Sequence, residues 1–103
     1  MEVRAGDYGY DMTFLVYEQD GTTPVDISTA TIKLQVAEVE SLRNIVNGSC
    51  QYVADANKNK CKYTVGQNDF TKAGNYIGGI QVTQGSSIRT TKDVSIVVKS
   101  ALA

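Results

Sequence analysis

Apolar and polar residues alternate in three long stretches of this 103-residue chain. A period of two places all residues of one phase on one face of a β-strand. The buried phases that we predict are Tyr10, Met12, Phe14 and Val16 in Tyr8–Glu18, Ile32, Leu34 and Val36 in Thr31–Val39, and Val94, Ile96 and Val98 in Ile88–Lys99. These three strands are expected to form much of the core.

Shorter elements are predicted between the long strands. Two strands, Cys50–Ala54 and Cys61–Val65, flank the polar turn Asp55–Lys60. Glu38–Val46 fits either a short helical turn or an edge strand, because the spacing of its apolar residues does not distinguish the two. Asn47-Gly48 is a dipeptide typical of two-residue hairpin turns, so a turn is predicted there.

The number and spacing of these strands indicate the fold. About seven strands with turn residues roughly every eight to twelve positions predict an all-β, immunoglobulin-like antiparallel β-sandwich. Alternation argues against a parallel sheet, whose strands are apolar on both faces. Because no linker, repeat or low-complexity tract interrupts the pattern, residues 1–103 are expected to form one domain.

Asp69, Gly74 and Tyr76 have the sequence pattern of a tyrosine corner at the start of a further strand. In this device a Tyr donates a hydrogen bond to the backbone just upstream, where the chain crosses between sheets. Gly74 suits the tight entry because glycine readily adopts positive φ. Tyr76 as a ligand-stacking ring is the alternative. We adopt the interpretation with a buried ring and a satisfied hydroxyl.

Charge and hydropathy limit the classes of partner. Ten Lys and Arg residues stand against eleven Asp and Glu, a net charge of −1, and no basic block marks a nucleic-acid groove. Met1–Asp7 lacks the apolar region of a secretory signal, and no stretch is long and apolar enough to span a membrane. We therefore expect no nucleic-acid partner, no membrane partner, and folding in a cytosol.

Residues for catalysis or metal binding are sparse. The chain has no His, which removes the usual general base and the commonest transition-metal ligand. Asp55–Asn59 resembles the start of a calcium loop, but Lys60 and Gly66 stand where that loop requires Gly and a bidentate Glu. No phosphate loop and no spaced nucleophile and base are present. We expect a protein that is not an enzyme and holds no cofactor or metal.

Cys50 and Cys61 lie on two strands that are predicted to form one hairpin. Centring the turn on Asp55–Lys60 pairs Cys50 with Val65 and separates the sulfurs by roughly 13 Å at ~3.3 Å per residue. A disulfide needs Cα atoms within about 7 Å, so both cysteines are predicted to be free thiols. Each shares its phase with aromatic or apolar residues, as small buried side chains do.

The six tyrosines divide into two groups. Tyr10, Tyr63 and Tyr76 share their phase with core residues. Tyr8, Tyr17 and Tyr52 are less clearly in phase with core residues. They are candidate interface residues, because Tyr is enriched at protein interfaces. The alternative for each of these three is a half-buried strand aromatic.

Several short motifs occur in a familiar order. Gly6-Asp7 precedes the first long strand, Asp20–Ser28 precedes the second, and Lys62–Val65 and Ala73–Tyr76 precede a closing Val-rich strand. This order resembles the immunoglobulin-like domain at the N-terminus of phage baseplate upper proteins, and related small modules on tailed-phage virions. The resemblance covers almost the whole chain and rests on short, turn-rich motifs.

The resemblance implies a non-enzymatic structural role in a virion, either capsid decoration or the anchoring of a baseplate or tail-fibre component. Baseplate upper proteins continue into further domains, whereas this chain stops at Ala103, so we expect either a stand-alone accessory protein such as a capsid decoration protein, or else an excised domain. The expected partners are other virion proteins of capsid or tail, with the oligomeric state left open. The expected location is the virion, after synthesis in the host cytoplasm.

A function of another class remains as an alternative, namely a carbohydrate-binding module excised from a larger surface protein. It predicts exposed Tyr residues clustered with Asn and Asp on one face. The virion hypothesis instead predicts a broad protein interface that includes an exposed edge strand. Met1–Asp7 and Ser100–Ala103 are candidate contact segments, because termini without core residues are often ordered only by a neighbour.

Overall fold

The structure is a computed structural model that describes residues 1–91 and 93–100. Within this part the chain forms nine strands and no helix. The strands are β1 Glu2–Arg4, β2 Asp11–Leu15, β3 Thr31–Glu38, β4 Asn44–Ser49, β5 Gln51–Val53, β6 Lys60–Thr64, β7 Gly74–Gln84, β8 Ser87–Thr90 and β9 Val94–Lys99. No helix with the length and apolarity to cross a membrane occurs among these residues.

The strands form two sheets. The larger sheet has the order β1-β9-β7-β3-β4, with β8 also paired to β7, and the smaller has the order β2-β6-β5. These orders match the G-F-C-C′ and B-E-D sheets of an immunoglobulin-like sandwich. The predicted all-β, immunoglobulin-like sandwich is therefore confirmed. It has more strands than predicted, and β1 pairs with β9 in parallel.

The core lies between the two sheets, where the predicted alternation holds. Ile32, Leu34 and Val36 of β3 are at most 3% exposed, and the inward residues of β2 and β9 are buried as well, except that Val94 at the start of β9 is only half-buried. β3 pairs along its whole length with β7, from Thr31 opposite Thr83 to Glu38 opposite Tyr76. Because the side-chain period of a strand is two, this pairing keeps every inward residue of both strands on the core face.

The strand predicted over Tyr8–Glu18 is shorter in the structure. β2 begins at Asp11, because Gly9 has a φ of 83° and interrupts the extended backbone. Tyr17 makes an isolated bridge to Pro24 beyond the end of β2. Tyr10, which was predicted in the core, is only half-buried against it. The alternation of residue types thus continues past both ends of the strand into loops.

The strand predicted over Ile88–Lys99 is divided into β8 and β9. Thr91 is buried at the break, and both its backbone N–H and its Oγ1 donate to the Ile80 carbonyl at 3.0 Å. Lys92, which belonged to the predicted strand, lies outside the described residues. β8 and β9 both pair with β7, so the two pieces occupy one position in the sheet.

The turn predicted at Asn47-Gly48 is wrong, because both residues lie inside β4. The hairpin turn comes earlier, between β3 and β4, and Leu42 there has a φ of 56°. Of the two alternatives for Glu38–Val46, the structure has the edge strand from Asn44 onward. The chain then changes sheets at Cys50, whose N–H donates to the Ile32 carbonyl at 2.9 Å, between β4 of one sheet and β5 of the other.

Candidate functional site

The end of the sandwich where β7 begins is organised by Tyr76. Its hydroxyl donates to the carbonyl of Lys72 at 2.7 Å, which is the hydrogen bond that defines a tyrosine corner. Gly74 has a φ of 157°, which side chains rarely allow, and a Cβ added there would stand 3.8 Å from Cε1 of Tyr76. Phe70 packs edge-on against that ring at 6.3 Å between centroids. Tyr76 is 3% exposed, so its ring is part of the core rather than a stacking surface.

Asp69 has a role at this end that the sequence did not indicate. Its carboxylate accepts the hydroxyl hydrogen of Tyr63 and the N–H of Gly66, the latter at 2.7 Å. Burial, and then the hydrogen bond to Asp69, raise the pKa of the Tyr63 hydroxyl. Asp69 therefore anchors Tyr63 of β6 to the loop before β7, instead of contacting the hydroxyl of Tyr76.

Gly48 is where β4 of the larger sheet meets Tyr63 of the smaller sheet. A Cβ added to Gly48 would stand 3.0 Å from both Cζ and Oη of Tyr63, and closer still to Cε1. Tyr63 is itself buried, and Asp69 holds its hydroxyl. Glycine at position 48 thus lets the two sheets approach across the tyrosine ring.

Two shallow clefts lie between the β3–β4 turn and the loop before β7. They measure about 290 and 220 Å³, and Glu38 and Lys72 line both of them. These two side chains form an ion pair at 3.7 Å. Ligand pockets are usually about 300 Å³ or more and mostly apolar, whereas these clefts are lined largely by charged and amide groups. We assign them no ligand.

Three exposed aliphatic residues surround Asn75 on the outer face of the larger sheet. Val97 of β9 lies opposite Asn75 of β7, and the N–H of Val39 donates to the Asn75 carbonyl from the other side. Ile77 follows two residues after Asn75 on the same face. Val39, Ile77 and Val97 are 43%, 40% and 37% exposed, and we call them the aliphatic patch. Exposed apolar residues grouped on one face are candidates for a protein interface, whereas isolated ones are common on any protein surface.

The sequence carries a signal for the aliphatic patch that the periodicity argument missed. Tyr76-Ile77 and Ile96-Val97-Val98 place apolar residues in both phases of their strands. The second phase belongs to the outward face, where a half-buried sheet normally presents polar residues. Such a run therefore indicates either a strand covered on both faces or an exposed apolar face, and here the outer face is exposed.

The three candidate interface tyrosines are not brought together. Tyr8 precedes β2 and Tyr17 follows it, so the five-residue strand, roughly 16 Å at ~3.3 Å per residue, separates them. Tyr52 lies on β5, with β6 between it and β2. Tyr8 is 57% exposed, whereas Tyr17 is half-buried. The clustered tyrosines that the carbohydrate-binding alternative predicts are therefore not formed by these three residues.

Cys50 and Cys61 are both free thiols, as predicted, but the predicted distance between them is wrong. Tyr52, not Ala54, lies opposite Cys61, so the hairpin register differs by two residues from the predicted one. This register brings Cys50 beside Cys61. The interaction with the Cys50 thiol, followed by burial, raises the pKa of the Cys61 thiol.

Acidic residues in the turns cap backbone groups. Asp20 accepts the N–H groups of Thr22 and Thr23 at 2.8 and 2.9 Å, and the Thr23 hydroxyl at 2.6 Å. The hydrogen bonds from Thr23, and then that from Thr22, lower the pKa of Asp20 to about 2.

Across residues 1–91 and 93–100, no group of three or more Cys, Asp or Glu side chains is placed to hold a metal ion.

The N-terminal segment is part of the larger sheet. β1 pairs with β9, and the terminal ammonium of Met1 donates to the Ser95 carbonyl at 3.1 Å. Of the predicted C-terminal contact segment, Ser100 follows β9, and residues 101–103 lie outside the described residues.

The sequence was also compared with known proteins. It matches no protein-family model and no curated protein.

Proposed function

We propose that this domain is a non-enzymatic accessory module of a tailed-phage virion, which attaches to the capsid through protein–protein contacts. The observation that carries the proposal is the aliphatic patch on the outer face of the larger sheet. Val39, Ile77 and Val97 remain exposed in a domain whose core residues are already buried between its sheets. A protein partner that covers this face removes their apolar surface from water.

The fold supports this role because it supplies a rigid platform for the patch. Ile77 and Val97 stand on neighbouring strands of a continuous sheet, and Val39 is held by its N–H bond to Asn75 at 3.1 Å. Binding therefore orders few additional side chains, which lowers the entropic cost of association. The resemblance to phage modules suggests that the assembly is a virion, and the aliphatic patch is the surface that we expect to contact it.

The direct test is to image the assembled phage particle and locate the domain. Many copies over the capsid shell support decoration. A few copies at the tail support the baseplate or tail-fibre alternative and overturn the capsid assignment. No copies on any particle overturn the virion proposal.

Binding variants test the patch. Ile77→Lys and Val97→Lys should reduce co-sedimentation with particles that lack the protein by about tenfold or more, since each buries a charge in the interface. Ile88→Lys is the matched control, because Ile88 is 65% exposed on β8 and outside the patch. Equal loss in the control, or full binding by the patch variants, contradicts the proposed surface.

A further inference from the structure

The smaller sheet has an open edge at β2. β2 pairs with β6 on one side, where the N–H of Val16 just beyond the strand also donates to the Asn59 carbonyl at 2.8 Å. Residues of an antiparallel strand alternate in the direction of their backbone groups. The N–H and C=O groups of Asp11, Thr13 and Leu15 therefore point away from β6. Within the part of the chain that the structure describes, none of them has a hydrogen-bond partner.

β2 has fewer of the features that protect edge strands from pairing than the other edge strands have. Short length, charged side chains and bulges are the usual protection. β1 and β5 are three residues long, and β1 carries Glu2 and Arg4. The register of β4 with β3 shifts at a bulge. β2 is five residues long, pairs with β6 without a shift, and contains neither Pro nor Lys. Its one charged residue, Asp11, is engaged by two side chains of β6, accepting the Thr64 hydroxyl at 2.6 Å and pairing with Lys62 at 3.7 Å.

A small cavity opens beside this edge, between the two sheets. It measures about 80 Å³ and is lined by four consecutive residues at the end of β2, Phe14 to Tyr17, and from the other sheet and its β8–β9 connection by Ile80, Thr91, Asp93 and Val94. A water takes about 30 Å³ of liquid, so the cavity has room for one aliphatic side chain of moderate size.

We propose that β2 receives an extended segment of a partner protein, which adds to the smaller sheet as a fourth strand. The segment pairs with the free backbone groups of Asp11, Thr13 and Leu15 and places one aliphatic side chain in the cavity. Only an extended backbone presents donors and acceptors at the spacing of this edge, which excludes a helix. In the strand order of an immunoglobulin-like sandwich, this place beside strand B belongs to strand A.

A second copy of this chain fits the site less well than a free segment of another protein. In an edge-to-edge pair of β2 strands, the inward residues Met12 and Phe14 of each copy remain buried in their own core. Neither copy then supplies a side chain to the other's cavity. The site is also distinct from the aliphatic patch, which lies on the other sheet, so it adds a second kind of contact to the proposed function and does not depend on it.

The test is a peptide titration of the full-length, isotope-labelled chain, followed by NMR. The probe is the blocked peptide Lys-Thr-Val-Thr-Val-Thr-Lys, which alternates in polarity. We expect saturable shifts and slowed hydrogen exchange at the amides of Asp11, Thr13 and Leu15. The same peptide N-methylated at every residue keeps the side chains and loses the donors, so it should bind at least about tenfold more weakly.

Two variants complete the test. Thr13→Pro removes one N–H of the open edge and should abolish the shifts, whereas Thr13→Val keeps that N–H and should preserve them. If Thr13→Pro does not fold, comparing the binding of the two peptides to the unaltered chain still tests the proposal. The proposal is overturned by the absence of saturable shifts, by equal binding of the N-methylated peptide, or by shifts confined to the aliphatic patch. A dimer of the free chain with protected β2 amides also overturns it.

Discussion

Replacing Gly48 by alanine tests how closely the two sheets approach each other. The new Cβ would stand 3.0 Å from Cζ and Oη of Tyr63, whereas carbon atoms normally pack at about 3.5–4.0 Å. The ring cannot move aside freely, because Asp69 accepts its hydroxyl hydrogen. Relief requires a shift of the sheets or the loss of that bond.

The expected loss of stability follows from these two ways of relieving the clash. Overpacking a well-filled site costs about 1–3 kcal/mol, and losing a hydrogen bond to a charged group costs about 1.5–3 kcal/mol. We therefore expect Gly48→Ala to lower the free energy of unfolding by about 2–3 kcal/mol, measured by urea denaturation. In a domain of this size each kcal/mol lowers Tm by roughly 4–8 °C.

A double-mutant cycle separates the clash from a general effect of alanine. When Tyr63→Leu removes the ring, Gly48→Ala should cost almost nothing, which gives a coupling free energy of about 2 kcal/mol. Gly79→Ala is the matched control on β7, because its added Cβ would meet its nearest neighbours at 3.5 Å. That change should be neutral or stabilising by up to about 1 kcal/mol. The reasoning is refuted if Gly48→Ala costs no more than Gly79→Ala, or if the cost persists without the ring.

Three further predictions concern side chains at the tyrosine corner, in a turn and at the sheet crossing. Tyr76→Phe removes the hydroxyl that bonds to the backbone and should lower the free energy of unfolding in urea by about 0.5–1.5 kcal/mol. Asp20 should titrate by NMR with a pKa of about 2, below the ordinary value of 3.8 for an Asp carboxyl. Its contribution to stability is therefore complete above pH about 4 and is lost as the pH falls through about 2. Asp20→Asn should flatten this part of the pH profile of stability. In the native chain a thiol reagent should label Cys50 before Cys61, as read by mass spectrometry, because the neighbouring thiol and burial raise the pKa of Cys61.

Each of these three experiments has a control and a contradicting result. Tyr8→Phe changes an exposed tyrosine, so an equal loss of stability there removes the special role of Tyr76. An unchanged acid limb in Asp20→Asn shows that the turn hydrogen bonds do not act on stability. Labelling Cys61 as fast as Cys50 contradicts its burial, and unfolding in denaturant should equalise the two rates.

The sequence alone was sufficient for the faces of the long strands and for the tyrosine at the corner. A strand repeats every two residues, so alternation in Thr31–Glu38 identifies Ile32, Leu34 and Val36 as inward before any partner strand is known. The Tyr76 hydrogen bond spans four residues, from its hydroxyl to the Lys72 carbonyl, so a local motif contains both partners. Information of this kind is local in the chain.

Tertiary structure decided the features that depend on residues distant in sequence. Asn47-Gly48 has the composition of a turn, yet it lies in β4 because it pairs with β3, and the glycine there leaves room for the ring of Tyr63. The register that brings Cys50 beside Cys61 is set by the crossing between sheets, not by the composition of the turn. The open edge of β2 likewise exists because β1 pairs with β9 instead of β2. Alternation assigns a face to each residue, but only packing selects the strand that lies beside it.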